Sequence, residues 1–263
     1  MKKNTVNKTA FTSKGYGKPI IFIHGLGLNK KMWDLQVPAL VNNYLIITYD
    51  LLGHGETNDQ CKSFSIDIFV NQLRNLVKFL GISEFGLIGF SLGGIIAREY
   101  AIHHPESVKA LSIINSPYNR SKKERNDVML RVHKAEEGGP AATVDDAIKR
   151  WFTNDFILSG NSIVNQVRDW ILSNNPEIYH KIYKVFANSD INLRNSISLI
   201  KCPSLVIACA LDVGSSPKMA KNMANAIASS KLEILPDLKH MGVLEKPEII
   251  NILLKEFFKF YLK

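Results

Sequence analysis

The chain has 263 residues, 46% of them hydrophobic and 22% charged, which fits a globular protein with one large α/β domain or two small ones. Its formal net charge is +9, but no nucleic-acid-binding motif or interleaving of basic and aromatic residues accompanies that charge, so we expect no nucleic-acid partner. No apolar run approaches the ~20 residues that span a bilayer, and the basic N-terminus lacks the apolar core of a signal peptide. We therefore expect a cytoplasmic protein with no membrane partner.

Seven lysines precede the first acidic residue, Asp34, and we interpret them as a solvated, lysine-rich edge that modestly favours the approach of anionic substrates. They are Lys2, Lys3, Lys8, Lys14, Lys18, Lys30 and Lys31. The three cysteines, Cys61, Cys202 and Cys209, are odd in number and lack metal-ligand spacing, which predicts reduced thiols and no metal site. Cys209 lies in an apolar run and is expected to be a small buried side chain.

The first half of the chain alternates between strand and helix patterns. Residues 5–12 alternate weakly and are predicted to form a short edge hairpin with the segment near Tyr16. Apolar runs predict buried strands, and amphipathic spacing predicts helices between them. The predicted strands are Pro19–Ile23, Tyr44–Tyr49, Phe85–Ile88 and Val108–Ile114, and the predicted helices are Met32–Leu40, Ser65–Leu80 and the segment that follows Gly93. Because the strands are continuously apolar, they predict a mostly parallel sheet with helices on both faces.

The strand pattern stops at about Ser116 and resumes only after Asn195. Helices are predicted here at Arg120–Glu137, Thr143–Phe152, Ser162–Leu172 and Pro176–Phe186. The spacing of Thr143 and Asp146 resembles a capping box. The segment is rich in large aromatic side chains, including Trp151 and Trp170. We predict a helical cap at 117–195, inserted after the sixth strand of a core domain made of residues 1–116 and 196–263.

The last quarter returns to the strand–helix alternation. The predicted elements are a strand at Pro203–Ala210, a helix at Pro217–Ile227, a strand at Leu232–Leu235 and a terminal helix at Pro247–Tyr261. These elements extend the same sheet, so the loops that follow its later strands should lie at the same edge as those of the earlier ones.

The pentapeptide Gly89–Gly93 reads G-F-S-L-G and lies between a predicted buried strand and a predicted helix. In that context G-x-S-x-G predicts a nucleophile elbow, a turn so tight that side chains at 89 and 93 would collide with neighbouring backbone. The elbow would hold Ser91 in a strained conformation, with its hydroxyl above the sheet edge. The free N–H groups at the start of the next helix would face charge that develops on a substrate.

A serine hydroxyl needs a nearby base and a third group that orients the base. Asp212 follows the strand that ends near Ala210, and His240 follows the strand that ends near Leu235. The chain order Ser91, Asp212, His240 is the one expected for this elbow. The other six histidines fit worse, since two end the elbow helix, two lie in the predicted cap and two lie in early turns. They are His24, His54, His103, His104, His133 and His180.

The oxyanion that forms during acyl transfer needs backbone N–H donors. One should be the N–H of Leu92, next to the nucleophile, and the other should come from the turn after the first buried strand. We predict Leu26 for the second donor, because Gly25 and Gly27 let this backbone approach a substrate closely. His24 and His54 are interpreted as residues that stabilise turns by hydrogen bonding.

Five motifs together resemble the α/β-hydrolase superfamily from Pro19 to Tyr261. They are HGLGLNKKMW at 24–33, DLLGHGET at 50–57, GFSLGG at 89–94, LDVGSSP at 211–217 and KHMGVLEKP at 239–247. Within the superfamily they look most similar to the small bacterial enol-lactonase and carboxylesterase group, which includes 3-oxoadipate enol-lactonase. The resemblance implies the same triad and oxyanion donors, a helical cap, no metal and no organic cofactor. Leu52 stands where the family usually has an arginine, which leaves a role for that side chain in doubt but not the triad.

The function expected from this resemblance is hydrolysis of a small carboxylic ester or lactone through an acyl-enzyme on Ser91. Perhydrolases of the haloperoxidase type, C–C bond hydrolases and non-catalytic ligand receptors share the fold and remain alternatives. Ser91 argues against haloalkane dehalogenases and epoxide hydrolases, which place an aspartate there. We expect the cap to set substrate choice. Its basic residues, including Arg120, Arg125 and Arg131, could bind a carboxylate, although the segment as a whole carries almost no net charge.

Overall fold

The computed structural model describes residues 9–57, 63–189 and 196–263, together with the backbone of residues 4–6. Eight strands within these ranges form one sheet in the order β1-β2-β4-β3-β5-β6-β7-β8. The strands are β1 (Asn4–Val6), β2 (Thr9–Lys14), β3 (Lys18–Ile23), β4 (Tyr44–Tyr49), β5 (Phe85–Phe90), β6 (Val108–Ile114), β7 (Ser204–Cys209) and β8 (Ser230–Leu235). In this order, every neighbouring pair from β4 to β8 is parallel. β1 pairs antiparallel with β2, and β2 pairs antiparallel with β4.

Helices cover both faces of the sheet. Those outside the cap segment are α1 (Val37–Leu40), α2 (Ile66–Phe79), α3 (Leu92–His103), α9 (Pro217–Ala226), α10 (Gly242–Glu245) and α11 (Pro247–Tyr261). On one face α3 packs against β5 and β6, and α9 packs against β7 and β8. On the other face α11 contacts β6 and α1. None of the helices in the described ranges combines the length and apolarity that a bilayer span requires.

Within the described residues, five α-helices lie between β6 and β7, as the prediction of a helical insertion after the sixth strand requires. They are α4 (Lys122–Gly138), α5 (Ala141–Trp151), α6 (Asn154–Leu158), α7 (Ser162–Leu172) and α8 (Pro176–Asn188). Four were predicted from the sequence, and the one-turn helix α6 was missed because five residues carry too little periodicity. The predicted cap end at 190–195 lies outside the described residues.

The parallel register brings the carboxyl ends of the central strands to one edge. Ile23 pairs with Gly89 and Gly89 with Ile113. Farther along the sheet, Ile114 pairs with Ile207 and Cys209 with Leu235. The loops after β3, β5, β6, β7 and β8 therefore leave the sheet side by side, which is where parallel α/β sheets bind ligands.

Two local predictions are wrong. The edge hairpin is formed by β1 and β2 alone, and β2 pairs with β4 while Tyr16 is exposed. Thr143 does not cap a helix, because α5 already begins at Ala141 and the Thr143 hydroxyl donates to the Pro140 carbonyl. The cap segment does contain a capping box, formed by Ser121 and Glu124.

The lysine-rich edge also needs correction at one position. Lys30 is buried rather than solvated, and its Nζ lies 2.7 Å from Oδ2 of Asp50 and 2.9 Å from Oε2 of Glu56. Lys14 and Lys31 are exposed as expected. Lys2, Lys3 and Lys8 lie outside the residues whose side chains are described, as does Cys61. Cys202 and Cys209 are free and buried.

Candidate active site

Ser91 lies in a strained turn between β5 and α3. Its φ of 54° and ψ of −113° place it in a region that side-chain-bearing residues rarely adopt. A Cβ at Gly89 would lie 2.3 Å from the Gly93 carbonyl oxygen, and a Cβ at Gly93 would lie 2.3 Å from the Ile23 carbonyl oxygen. Only glycine fits at these two positions, so the turn has the steric requirements expected of a nucleophile elbow.

Neighbouring strands and loops hold the strained serine in place. The Ser91 N–H donates to the Ile114 carbonyl at 3.0 Å. The Ser91 carbonyl accepts from the Ser116 hydroxyl at 2.8 Å. Leu92 is the first residue of α3, so the positive end of the helix dipole begins next to Ser91.

Asp212 follows β7 and is almost completely buried, with four hydrogen-bond donors around its carboxylate. Oδ1 accepts from the N–H groups of Gly214 and Ser215 at 2.9 and 3.1 Å. Oδ2 accepts from Nδ2 of Asn115 at 2.9 Å and from Nδ1 of His240 at 2.6 Å. This arrangement fixes the carboxylate and orients the imidazole ring through Nδ1.

The donors outweigh the effect of burial on Asp212. Burial alone would raise the pKa of its carboxyl, but His240, Asn115 and the Ser215 N–H favour the charged form, and the pKa is lowered. Asp212 is therefore ionised at neutral pH, as a group that stabilises an imidazolium must be.

His240 lies between the sheet edge and the cap segment. Its ring packs 4.8 Å from the ring of Phe90, the residue before Ser91, and 5.6 Å from the ring of Trp151 on α5. Since Nδ1 is bonded to Asp212, Nε2 is the ring nitrogen left for chemistry. Ser91, Asp212 and His240 all line one cleft of about 580 Å³, solvent at its mouth included.

Asn115 was not identified from the sequence, although it contacts the same carboxylate. It follows β6 with a φ of 44°, and its Oδ1 accepts from the Cys209 thiol at 3.4 Å while its Nδ2 donates to Asp212. Burial raises the pKa of the Cys209 thiol to about 12, so the thiol stays protonated and donates. The sequence signal that could have identified Asn115 is its position as a polar residue directly after a buried strand.

In the turn after β3, the N–H of Leu26 is available as a donor. The Gly27 N–H donates to Nε2 of His54 at 3.0 Å, and the Leu28 N–H donates to the Gly25 carbonyl at 3.2 Å. Among the described residues, the Leu26 N–H has no hydrogen-bond partner, and Gly25 and Leu26 line the cleft with Ser91. A Cβ at Gly25 would lie 3.3 Å from the Ser91 Cβ, which shows how closely this turn approaches the elbow.

His24 and His54 support these turns, as the sequence predicted. Nε2 of His24 accepts from the Leu51 N–H at 2.9 Å, and its Nδ1 donates to the Gly25 carbonyl at 2.8 Å. Burial lowers the pKa of His24 to about 4 and that of His54 to about 3, the latter aided by His24 itself. Both rings are therefore neutral at pH 7 and act as fixed donor–acceptor pairs.

The ion pair of Lys30 and Asp50 stabilises the same two turns, which follow β3 and β4. Besides its contact with Lys30 Nζ, Asp50 accepts from the Lys30 N–H at 2.7 Å and from the Glu56 N–H at 2.9 Å. Leu52, which replaces the family's usual arginine, is buried and its N–H donates to Oε1 of Gln72. The buried positive charge in this turn thus comes from Lys30.

The cap side of the cleft combines apolar walls with three guanidinium groups. Val128, Trp151 and Phe186 form much of the apolar wall on this side, with Leu28 from the turn after β3, and Arg120, Arg131 and Arg150 also line the cleft. Arg120 and Arg131 were named from the sequence, Arg150 was not, and Arg125 does not line the cleft. Within the described residues, no group of three or more His, Cys, Asp or Glu side chains is arranged to hold a metal ion.

Comparison with known proteins supports the fold. A family model described as alpha/beta hydrolase fold matches residues 18–132. The solved structure of the enol-lactonase from Burkholderia xenovorans LB400 superposes with a TM-score of 0.90 at 24% identity, over 98% of this chain and 100% of that one. The chain has the α/β-hydrolase fold and resembles the α/β-hydrolase superfamily over the matched residues. The predicted α/β-hydrolase fold is confirmed, and so is the predicted resemblance to this superfamily.

The chain is also similar to two bacterial enzymes from Acinetobacter baylyi. It is 27% identical to (E)-2-((N-methylformamido)methylene)succinate hydrolase, over 93% of this chain and 92% of the relative. It is 28% identical to 3-oxoadipate enol-lactonase 2, over 88% of this chain and 85% of the relative. These likenesses confirm the resemblance to the enol-lactonase group and support an enzyme of the hydrolase class.

Proposed function

We propose that this α/β-hydrolase is a serine hydrolase that cleaves a small carboxylic ester or lactone through an acyl-enzyme on Ser91. The observation that carries the proposal is the cleft in which a strained Ser91 lies with His240, whose Nδ1 is held by buried Asp212 at 2.6 Å. Similarity to proteins named as a hydrolase and an enol-lactonase supports the same reaction class.

In the first half of the proposed reaction, the Ser91 hydroxyl attacks the substrate carbonyl and Nε2 of His240 takes its proton. Asp212 stabilises the imidazolium that results. The N–H groups of Leu26 and Leu92 stabilise the negative charge on the tetrahedral oxygen. The imidazolium then protonates the leaving alkoxide or enolate oxygen, and the acyl group remains on Ser91.

In the second half, Nε2 of His240 removes a proton from water, which attacks the acyl-enzyme. The tetrahedral intermediate collapses, the imidazolium returns the proton to Oγ of Ser91, and the carboxylic acid leaves. No redox change occurs, and the net reaction consumes one water. Residues 117–195 act as a cap that shields the cleft from bulk water and shapes the acyl site, on a core of 1–116 and 196–263.

Turnover of p-nitrophenyl esters with acyl chains of two to eight carbons, and of simple lactones, tests the proposal. Ser91→Ala should fold normally and lose several orders of magnitude in kcat. Ser159→Ala, on the exposed end of α6, is the matched control and should retain wild-type turnover.

The alternatives give different outcomes in the same assay. A C–C bond hydrolase would leave all esters and lactones intact, and a receptor would bind ligand without turnover. Activity that appears only with hydrogen peroxide would indicate a perhydrolase. Ester turnover that survives Ser91→Ala would contradict the acyl-enzyme mechanism.

A further inference from the structure

The last strand of the sheet pairs on one side only. β8 ends the strand order and, among the described strands, pairs with β7 alone. It has six residues and no proline, and its parallel register with β7 is continuous. The opposite edge, β1, has three residues. Edges that avoid pairing with another chain are often short, bulged or interrupted by proline. β8 has none of these features and is therefore the edge open to a further strand.

The backbone groups of β8 alternate between the side that faces β7 and the open side. At the two ends of the strand, the carbonyls of Ser229 and Leu235 accept N–H groups of the β7 segment, each at 2.8 Å. In a parallel ladder this direction repeats every second residue, so the odd-numbered residues of β8 face β7. Ser230, Leu232 and Ile234 therefore direct their N–H and C=O groups outward, where a second strand can pair with them.

The charged side chains of β8 make this edge complementary to itself. Lys231 and Glu233 lie on the same face of the strand, and Nζ of Lys231 lies 2.9 Å from Oε1 of Glu233. Two copies of β8 that pair antiparallel about a two-fold axis at Leu232 place Lys231 of each copy opposite Glu233 of the other. An axis at Lys231 or at Glu233 instead places two like charges opposite each other, which destabilises a strand pair. A strand protected by charge should repel a copy in every register, whereas β8 attracts one in the register centred on Leu232.

Exposed apolar side chains flank the same edge. Beside Lys231, the α11 residues Leu253, Phe260 and Tyr261 border a groove, and Phe260 and Tyr261 are 65% and 43% exposed. Ile234 lies on the opposite face of β8 and is 42% exposed. A second β8 added at this edge brings its own copies of these side chains to both faces of the new strand pair. Their removal from water favours association.

We propose that β8 forms a homodimer interface, in which two copies of the chain join their sheets by antiparallel β8 pairing about a two-fold axis at Leu232. The N–H groups of Ser230, Leu232 and Ile234 in each copy donate to the carbonyls of Ile234, Leu232 and Ser230 in the other, respectively. A second copy is the partner that fits, because β8 carries one charge of each sign although the whole chain has a net charge of +9. The interface does not depend on the reaction proposed for Ser91.

Charge reversal tests the interface and its register together. Sedimentation velocity over a series of protein concentrations should show a monomer–dimer equilibrium for the wild-type chain. Lys231→Glu and Glu233→Lys should each raise the dimer Kd by about tenfold, because the two-fold axis repeats each like-charge pair on both sides. The double variant Lys231→Glu/Glu233→Lys restores opposite charges at both positions, so its Kd should return to within about threefold of the wild-type value.

Lys123→Glu is the matched control, because it makes the same change of charge at an exposed position of α4 in the cap segment. It should leave the dimer Kd unchanged. A wild-type chain that remains monomeric at about 100 μM would overturn the proposal. Equal effects of Lys123→Glu and Lys231→Glu, or a double variant that dimerises no better than the single variants, would overturn it as well.

A proline at the axis tests the backbone pairing without disturbing β7. The N–H of Leu232 points outward, so Leu232→Pro removes a donor of the dimer but no hydrogen bond to β7. The variant should retain the wild-type circular dichroism spectrum and sediment as a monomer where wild type is dimeric. A folded Leu232→Pro variant that dimerises as wild type does would contradict β8 pairing.

Disulfide cross-linking measures the register directly. In a Cys61→Ser background, in which Cys202 and Cys209 are buried, a mixture of Lys231→Cys chains and Glu233→Cys chains should form an inter-chain disulfide under mild oxidation. Opposite residues that exchange no hydrogen bonds in an antiparallel pair have Cα atoms about 4.5 Å apart, within the range of a disulfide. Either chain alone should cross-link far less. Equal cross-linking of one chain alone and of the mixture would overturn the axis at Leu232.

Discussion

The sheet edge and the cap segment contribute to the cleft in different ways. At the sheet edge, backbone geometry positions the reactive groups. Ser91 lies in a strained turn between β5 and α3, and Asp212 is held by N–H groups of its own loop. On the cap side, long side chains such as Arg131 and Arg150 project from helices. Changes at the sheet edge should therefore affect every substrate, whereas changes in the cap should alter the ranking among substrates.

The two regions are not independent, because the cap is tied to the loop that carries His240. The Met241 N–H donates to the Trp151 carbonyl at 2.8 Å, and Nζ of Lys239 donates to the Lys149 carbonyl at 2.9 Å. The Thr153 hydroxyl donates to the Glu245 carboxylate. The end of α5 thus supports His240 as well as lining the cleft, so cap substitutions are best evaluated by substrate ratios.

The largest effect is expected at Asp212. Asp212→Asn should lower kcat roughly 10⁴-fold, as the corresponding change does in the serine-protease triad, because the imidazole loses its oriented tautomer and the charge that stabilises its cation. The loss should be the same for short and long acyl esters, measured by steady-state kinetics. A loss below about tenfold would mean that another carboxylate orients His240.

Lys30 tests how much the buried ion pair stabilises the turns beneath the cleft. Lys30→Met leaves the Asp50 carboxylate buried without its cation, which should lower the free energy of unfolding by about 3 kcal/mol. Lys31→Met, at an exposed neighbouring position, should change it by less than about 0.5 kcal/mol. Urea denaturation measures both, and equal effects would contradict a structural role for the Lys30–Asp50 pair.

The neutral histidine pair predicts a loss of stability in mild acid. The folded-state pKa values of His24 and His54, about 4 and about 3, lie below the unfolded value of about 6.5. As the pH falls below 6.5 the unfolded chain therefore gains protons first. Protonation of each of these two histidines in the unfolded chain should lower the free energy of unfolding by about 2 kcal/mol between pH 7 and pH 5.

Replacing one of the two histidines should reduce that pH dependence. His54→Gln should flatten the fall in stability between pH 7 and pH 5 by about 2 kcal/mol, whatever its effect at pH 7. His133→Gln, on an exposed face of α4, should leave the slope unchanged. An identical slope in His54→Gln and wild type would mean that His54 is protonated in the folded protein at pH 5.

The smallest expected effect is a change of acyl preference at Trp151. Trp151→Leu should shift the ratio of kcat/KM between p-nitrophenyl hexanoate and acetate by about tenfold, since the ring lines the cleft. Trp170, which the sequence analysis named together with Trp151, is buried and does not line the cleft, so Trp170→Phe serves as the control. If Trp151→Leu lowers activity on both esters by the same factor, its contact with His240 dominates and the cap acts as scaffold.

The sequence predicted those parts of the site that depend on local backbone requirements. Ser91 was identified because only glycines fit at 89 and 93, and Asp212 and His240 were proposed because each follows a strand whose place the parallel sheet determines. Arg150 and Asn115 were missed because their importance depends on contacts across distant segments. Asn115, which follows β6, lies 97 residues before Asp212 in the chain, so local residue spacing could not predict this contact.

The buried ion pair of Lys30 also could not be predicted from local sequence. From the sequence it belongs to a run of solvated lysines, and only the fold brings it to Asp50 and Glu56, 20 and 26 residues away. The short helix α6 and the start of α5 at Ala141 were missed for a related reason, since tertiary packing determines helix ends more strongly than a single Thr–Asp spacing does.

The acyl-enzyme on Ser91 is the central claim, and active-site labelling tests it most directly. The protein is treated with a fluorophosphonate, digested, and the adduct is located by peptide mass spectrometry. We predict one adduct per chain, on Ser91, with complete loss of ester turnover, and no adduct in Asp212→Asn on the same timescale. An adduct on another residue, or full turnover after Ser91 is labelled, would contradict the account.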